Sequence, residues 1–306
     1  MNTEALTHQM GILFSVIFIA YFATKAGLLP KNANKPISSL ILNVTCPATI
    51  LHSMLTGTRS LGNGDVVILL LLGMLAHGIF ILAAQLMTVL PCFPKDKRGV
   101  YRSMIVQANV GFLGFPLIRS IFGSDGMFIA SIYNIAFNLV TYTYGTSQLA
   151  SRPEDKKVSL KMFTTPVMIC SMVGLVLYLL NLTLPEPVME VLSTLDAVTS
   201  PASMVVIGCA LASIPLKQVF TNWRIYAAAA VRLIVCPVAV WLVLRPFTSS
   251  QLIFQVIVTL AALPSATNIT LLSSQYDGDV ATASSGLFMT TILSLVTLPV
   301  LLNLLF

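Results

Sequence analysis

Apolar runs, each about as long as a hydrocarbon core is thick, recur along the chain with short polar links between them. A window of about 19 residues picks out ten of them. They run approximately 10–26, 36–55, 66–90, 103–122, 127–150, 162–182, 196–214, 223–244, 251–274 and 280–305. The links leave no room for a second soluble domain, and the longest, Ser151 to Lys161, falls at the middle of the chain. The pattern predicts an all-α polytopic membrane protein with ten transmembrane helices. The first apolar run follows no basic stretch and precedes no small-residue cleavage site, so it is expected to stay as a helix.

The two halves resemble each other. Val44-Thr-Cys-Pro-Ala48 in segment 2 returns as Val198-Thr-Ser-Pro-Ala202 in segment 7. Segment 4 carries Pro116 followed by Asp125-Gly126, and segment 9 carries Pro264 followed by Asp277-Gly278. Two copies of a five-helix unit must enter the membrane from opposite sides, so the expected organisation is an inverted repeat. Its parts are residues 1–150, a cytoplasmic linker at 151–161, and residues 162–306.

Composition agrees with the pattern. The chain is 56% hydrophobic and 9% charged, against about a quarter charged in a soluble domain. The net charge of +6 does not call for a nucleic-acid partner, because the basic residues sit in short loops beside the bilayer. With the N-terminus outside, 13 of them fall on the inner side and only Arg59, Arg119 and Arg245 on the outer. That asymmetry predicts a multi-pass protein of the cell membrane with both termini outside. The five cysteines are dispersed and show no C-x-x-C spacing, so neither a disulfide frame nor a metal site is expected, and no cofactor is implied.

Segment 4 contains Gln107-Ala-Asn-Val-Gly-Phe-Leu-Gly-Phe-Pro116, with glycines, an amide and a proline where a plain spanning helix carries leucine. Gly111 and Gly114 loosen the turn before Pro116, and the helix is expected to break there. Segment 9 breaks likewise at Pro264, in Leu260-Ala-Ala-Leu-Pro-Ser-Ala-Thr-Asn268. Two broken helices in matching positions would present two helix N-termini near the bilayer centre, a setting for an anion such as a carboxylate. Asn109, Ser265, Thr267 and Asn268 can complete its hydrogen bonds. The bland alternative is two packed proline kinks. Every carboxylate maps to a loop or a segment end, so no buried acidic site for Na⁺ or H⁺ is visible. Arg232 in segment 8 either faces a cavity and an anion or snorkels to the interface. His77 is a proton relay or a neutral interhelical partner. Asn43 and Thr45 are further lining candidates, and Asn138 with Asn134 forms an i, i+4 pair that either binds substrate or holds helices together.

These residues resemble the auxin efflux carrier family, bacterial branch. The resemblance rests on Asn109-x-Gly-x-x-Gly-x-Pro116-Leu, on Leu263-Pro264 followed by Ser-Gln-Tyr-Asp-Gly, and on Arg232-Leu-x-x-x-Pro237. It implies helices 4 and 9 crossing at their breaks, a scaffold similar to bile-acid/sodium symporters, and elevator motion of a crossing domain. It also implies Asn109 as a binding residue, small dicarboxylates such as malate or malonate as substrates, and a homodimer as a candidate assembly. The long central loop of plant exporters is missing.

The expected function is therefore a secondary transporter of a small organic anion working by alternating access, with H⁺ or Na⁺ as candidate coupling ions. A sodium-coupled symporter, with oxygens from Ser265, Thr267 and Asn268 on the ion, is the alternative; a channel or receptor is a further one. No phosphate-binding loop and no nucleophile, base or metal constellation points to an enzyme.

Overall fold

The computed structural model describes residues 3–30, 33–57, 63–150, 164–214, 216–248 and 250–306. Among these the regular structure is helical, apart from one isolated backbone bridge. The helices are α1 (Thr3–Lys25), α2 (Asn34–Thr56), α3 (Asn63–Val89), α4 (Arg98–Val106), α5 (110–122), α6 (124–149) and α7 (Pro166–Leu179). There follow α8 (Glu186–Ala212), the short α9 (Leu216–Thr221), α10 (Trp223–Phe247), α11 (Gln251–Ala261), α12 (Asn268–Gln275) and α13 (Val280–Leu305). Among the described residues, seven stretches are long and apolar enough to cross a membrane, and α7 and α11 are shorter apolar helices. Helix is present in each of the ten expected segments. The expected linker at 151–161, and the start of the second unit at 162, lie outside the described residues.

The stretch Val110–Leu149 is two helices joined end to end. They meet at Gly123, whose φ of +63° is open to glycine and strained for any side chain. The helices pack as two groups. α1, α2, α7 and α8 lie chiefly against one another, while α3 to α6 and α10 to α13 form the second group.

Three prolines share one local solution. Pro47, Pro116 and Pro237 each sit in the first turn of an α-helix that resumes directly after a five-residue π turn, at Ile41–Thr45, Val110–Gly114 and Val231–Val235. Proline lacks an N–H and collides with the carbonyl four residues back; widening the preceding turn relieves both problems while the helix continues. The expected break at Pro116 is accordingly corrected. The helix runs through Pro116, and the interruption lies earlier, at Gln107–Asn109.

A second correction concerns α8. It begins at Glu186, ten residues before the expected segment, with Pro187 in its first turn. Asp196 is therefore not at a helix end but roughly 15 Å along the axis, and it is buried.

At the end of the bundle that carries Lys35, Lys97 and Arg224, the loop before α4 is tied to the start of α13. Lys97 Nζ lies 2.7 Å from Asp279 Oδ2, and Asp279 also caps α13 by accepting from the Thr282 N–H and hydroxyl. Burial alone would push the Asp279 carboxyl up. The hydrogen bonds from Lys97 and Thr282 outweigh it, so the group sits below its usual 3.8. The same hydrogen bond to Asp279 holds the Lys97 ammonium above its usual 10.5. The tie thus contributes fully above pH 3.8 and below pH 10.5. It is lost as pH falls through the depressed carboxyl value or rises through the raised ammonium value. Because the pair is partly exposed and asparagine caps a helix about as well as aspartate, Asp279→Asn should cost no more than about 1 kcal/mol at pH 7, from the ion pair. In thermal melts the gap between wild type and variant should close as pH falls below 3.8; a constant gap would refute the assignment.

Candidate functional site: the crossing of two interrupted helices

α4 ends at Val106 and α11 at Ala261, and each continues as extended chain into a second helix. The extended pieces cross antiparallel. The Asn109 N–H donates to the Pro264 carbonyl at 2.9 Å, and the Ala266 N–H donates to the Gln107 carbonyl at 2.9 Å, pairing Ala108 with Ser265. Backbone freed from both helices is satisfied by the other one, as it must be where water is excluded. Ser265 completes the join: its hydroxyl donates to the Met104 carbonyl at 2.7 Å, and its N–H donates to Thr290 Oγ1 at 3.2 Å. Gly114 lets the chains approach, since a Cβ there would lie 2.7 Å from Leu263 Cδ1.

α4 and α11 arrive with their C-terminal ends, whose last carbonyls have no partner within the helix and carry negative partial charge. Arg232 takes them. Its Nη1 donates to Ile105 O at 2.8 Å, its Nε to Leu263 O at 2.9 Å and its Nη2 to Ala261 O at 3.1 Å. The guanidinium also lies 4.8 Å from the centre of the Phe80 ring, a cation–π contact. Arg232 is wholly buried. It neither snorkels nor lines a cavity, so both expected arrangements are corrected. It clamps the two C-terminal ends.

The other face of the crossing presents the two N-terminal ends. α5 starts after Asn109 and α12 after Thr267, and neither start has a side-chain cap. The Asn109 amide instead donates to Thr267 Oγ1 at 3.2 Å, joining the two starts. In front of them is a cavity of about 180 Å³, lined by Asn43, Asn109, Gly111, Asn134, Asn138, Tyr142 and Asn268 among others. None of its lining residues is charged. The Asn134 amide nitrogen is buried there without a partner, while the Asn138 amide donates to the Asn134 carbonyl at 2.9 Å. A larger cavity of about 920 Å³ continues past Asn43, Phe112, Thr267 and Asn268 to Asn34 and Lys35, at the lysine-bearing end of the bundle.

Of the expected residues, the fold therefore brings Asn109, Gly111, Thr267, Asn268, Asn43 and Asn138 to these cavities. Gly114, Pro116, Pro264, Ser265 and Arg232 build the crossing behind them. Thr45 is buried and lines neither cavity. His77 is buried too: its Nδ1 lies 2.8 Å from the Gly73 carbonyl and its ring packs near Tyr133. Two of the three oxygens expected on a sodium ion are engaged, Ser265 Oγ by Met104 and Thr267 Oγ1 by Asn109. Sequence reasoning left out Tyr142 and the aromatic residues Phe112, Phe115 and Phe137. Their signal was slight, because an aromatic residue in an apolar run reads as lipid-facing.

A family model described as membrane transport protein matches residues 5–159 and 155–302. The chain belongs to this family. It is the auxin efflux carrier grouping that the crossing motifs resemble. Among relatives of this membrane transport protein, an uncharacterized transporter of Methanocaldococcus jannaschii is 24% identical over 297 residues, 94% of each chain. An uncharacterized transporter of Methanothermobacter thermautotrophicus is 25% identical over 286 residues, 93% of each chain. A Rhizobium meliloti protein provisionally named a malonate transporter is 23% identical over 312 residues, covering 95% of this chain and 93% of that one. The relatives are named for transport.

Replacing Arg232 tests the clamp. Arg232 serves three carbonyls and a glutamine amide has two N–H donors, so Arg232→Gln leaves at least one buried carbonyl without a donor, at about 1–3 kcal/mol for each one left. A melting temperature lowered in detergent, with or without ligand, is expected. Unchanged stability would remove the clamp.

Proposed function

We propose that this membrane transport protein is a secondary transporter of a small organic anion, a mono- or dicarboxylate of malonate or malate size, bound at the N-terminal ends of α5 and α12. The observation that carries the reading is the pair of uncapped helix starts facing an uncharged cavity rich in amides. Positive dipole ends favour a carboxylate, and with no lysine or arginine among the lining residues the attraction comes from dipoles and side-chain amides. Asn109 positions the two starts through Thr267, while Asn134, Asn138 and Asn268 supply further donors. The relative named for malonate supports the substrate class.

The two helix groups supply the moving parts: α1, α2, α7 and α8 act as a scaffold, and the group holding the crossing slides against it. The inverted five-helix repeat is supported by the paired motifs and by the two-fold character of the crossing. The basic end of the bundle faces the cytoplasm, so the cavity that reaches Lys35 opens inward in this conformation.

Thermal stabilisation by a panel of carboxylates, with and without Na⁺ and at two pH values, tests the site. A substrate at a hundred times its Kd should add about 2.7 kcal/mol. Asn109→Ala should weaken that ligand about tenfold or more while the protein still inserts, the loss expected for a hydrogen bond network serving a charged group. Stabilisation by neutral or cationic solutes and by no anion would overturn the reading.

A further inference from the structure

Asp196 is the unexplained charge of this fold. It stands on α8 with its side chain 3% exposed and holds two partners from different elements. His52 Nδ1 on α2 is 2.8 Å from Asp196 Oδ2, and Arg119 Nη1 on α5 is 2.5 Å from the same oxygen. His52 and Asp196 belong to one helix group and Arg119 to the other. One turn deeper, Thr49 and Thr199 share a hydrogen bond of 2.7 Å that fixes α2 to α8 within the scaffold group. Nearby contacts also join the groups at this end: Ser53 to Ser131 at 3.1 Å, and the tilted rings of Phe128 and Tyr178 with centroids 4.3 Å apart. The cluster therefore spans the interface between the groups, at the end opposite the cavity mouth beside Lys35.

Sliding one group past the other must part Arg119 from Asp196. A buried carboxylate stripped of its cation is costly, by several kcal/mol, unless something replaces the positive charge. His52 is in place to do so by taking a proton, as is the carboxylate itself. Among the described residues, the other titratable groups towards this end of the surrounding elements are Cys46 on α2, Cys170 and Tyr178 on α7, Asp125 and Tyr133 on α6, Glu186 and Glu190 on α8, and His8 on α1; Lys25 and Lys35 stand at the opposite ends of α1 and α2. None of the groups towards this end is a permanent cation that can stand in for Arg119.

We propose that Asp196 with His52 is a proton-binding site that competes with Arg119, forming a latch on the end of the transporter opposite its open cavity. Closed, the cluster holds Arg119 and His52 on one oxygen of Asp196. Opening exchanges Arg119 for one proton, held as imidazolium against carboxylate, so the charge buried in the scaffold stays balanced. The open state binds one more proton, and acid on that side favours opening. This deepens the transporter reading and rests on its assignment of the two groups as scaffold and moving body.

The test is a distance measurement by electron spin resonance on the full chain in lipid nanodiscs, in a background with the native cysteines replaced. Nitroxides are placed at Val188→Cys on α8 and Ser124→Cys at the head of α6, both exposed and on opposite groups. The ratio of long to short distances should rise as pH falls from 7.5 to 5, by up to about tenfold per pH unit for one coupled proton. In Asp196→Asn the ratio should favour the long distance and no longer depend on pH; Arg119→Gln gives the same readout should the first variant not fold. Distances unchanged by pH in the wild type, or a full pH response surviving in either variant, would overturn the latch. Carboxylate stabilisation measured on the same samples separates the two readings. Intact stabilisation with flat distances removes the latch alone, and a pH-driven opening without any carboxylate effect removes the substrate assignment alone.

Discussion

Backbone polar groups at membrane depth must find partners inside the protein, and the architecture around the crossing follows from that requirement. Interrupting α4 and α11 frees N–H and carbonyl groups at four helix ends and along two extended segments. The extended segments satisfy each other through the Asn109–Pro264 and Gln107–Ala266 hydrogen bonds. The two C-terminal ends are satisfied by Arg232, which supplies three donors in one planar group, a task that a lysine with its compact ammonium would do less well. The two N-terminal ends are left facing the cavity. The result is a separation of charge across the crossing: negative ends neutralised by a permanent cation behind, positive ends open in front.

In the proposed reading, that separation lets the cavity suit an anion while its lining carries no charged side chain. A buried lysine or arginine in the cavity would hold a carboxylate strongly in every state of the protein. Dipoles and amides hold it more weakly and need no counter-charge when the site is empty. The Asn134 amide nitrogen is buried without a partner, and the starts of α5 and α12 carry no side-chain cap. The proposed latch extends the same logic to the opposite end. There a carboxylate is shared between the two helix groups, so any relative movement must be compensated in charge.

Part of this was legible in the chain. The apolar runs gave a helical membrane protein, and the glycines, amides and prolines of segments 4 and 9 pointed to Asn109, Gly111, Thr267 and Asn268, which line the cavities. Two features were misplaced for reasons that are physical. Proline marks a helix that must adjust but does not say how, and in three places the adjustment is a π turn rather than a break. A hydropathy window starts a segment where apolar residues begin, so it cut off the polar first turns of α8 and set Asp196 at an end it does not occupy.

Hydropathy and residue spacing are local properties, and they determined the class of protein and the stretches in which helices would be perturbed. Which groups then satisfy one another is a matter of distances across more than a hundred residues of chain. Only the tertiary structure could give Arg232 to the carbonyls of α4 and α11, set Asn109 against Thr267, and join His52, Asp196 and Arg119 from three helices. The same arginine, read alone, is equally an anion ligand, an interfacial anchor or a helix clamp. Its partners decide among these, and they lie far from it in sequence.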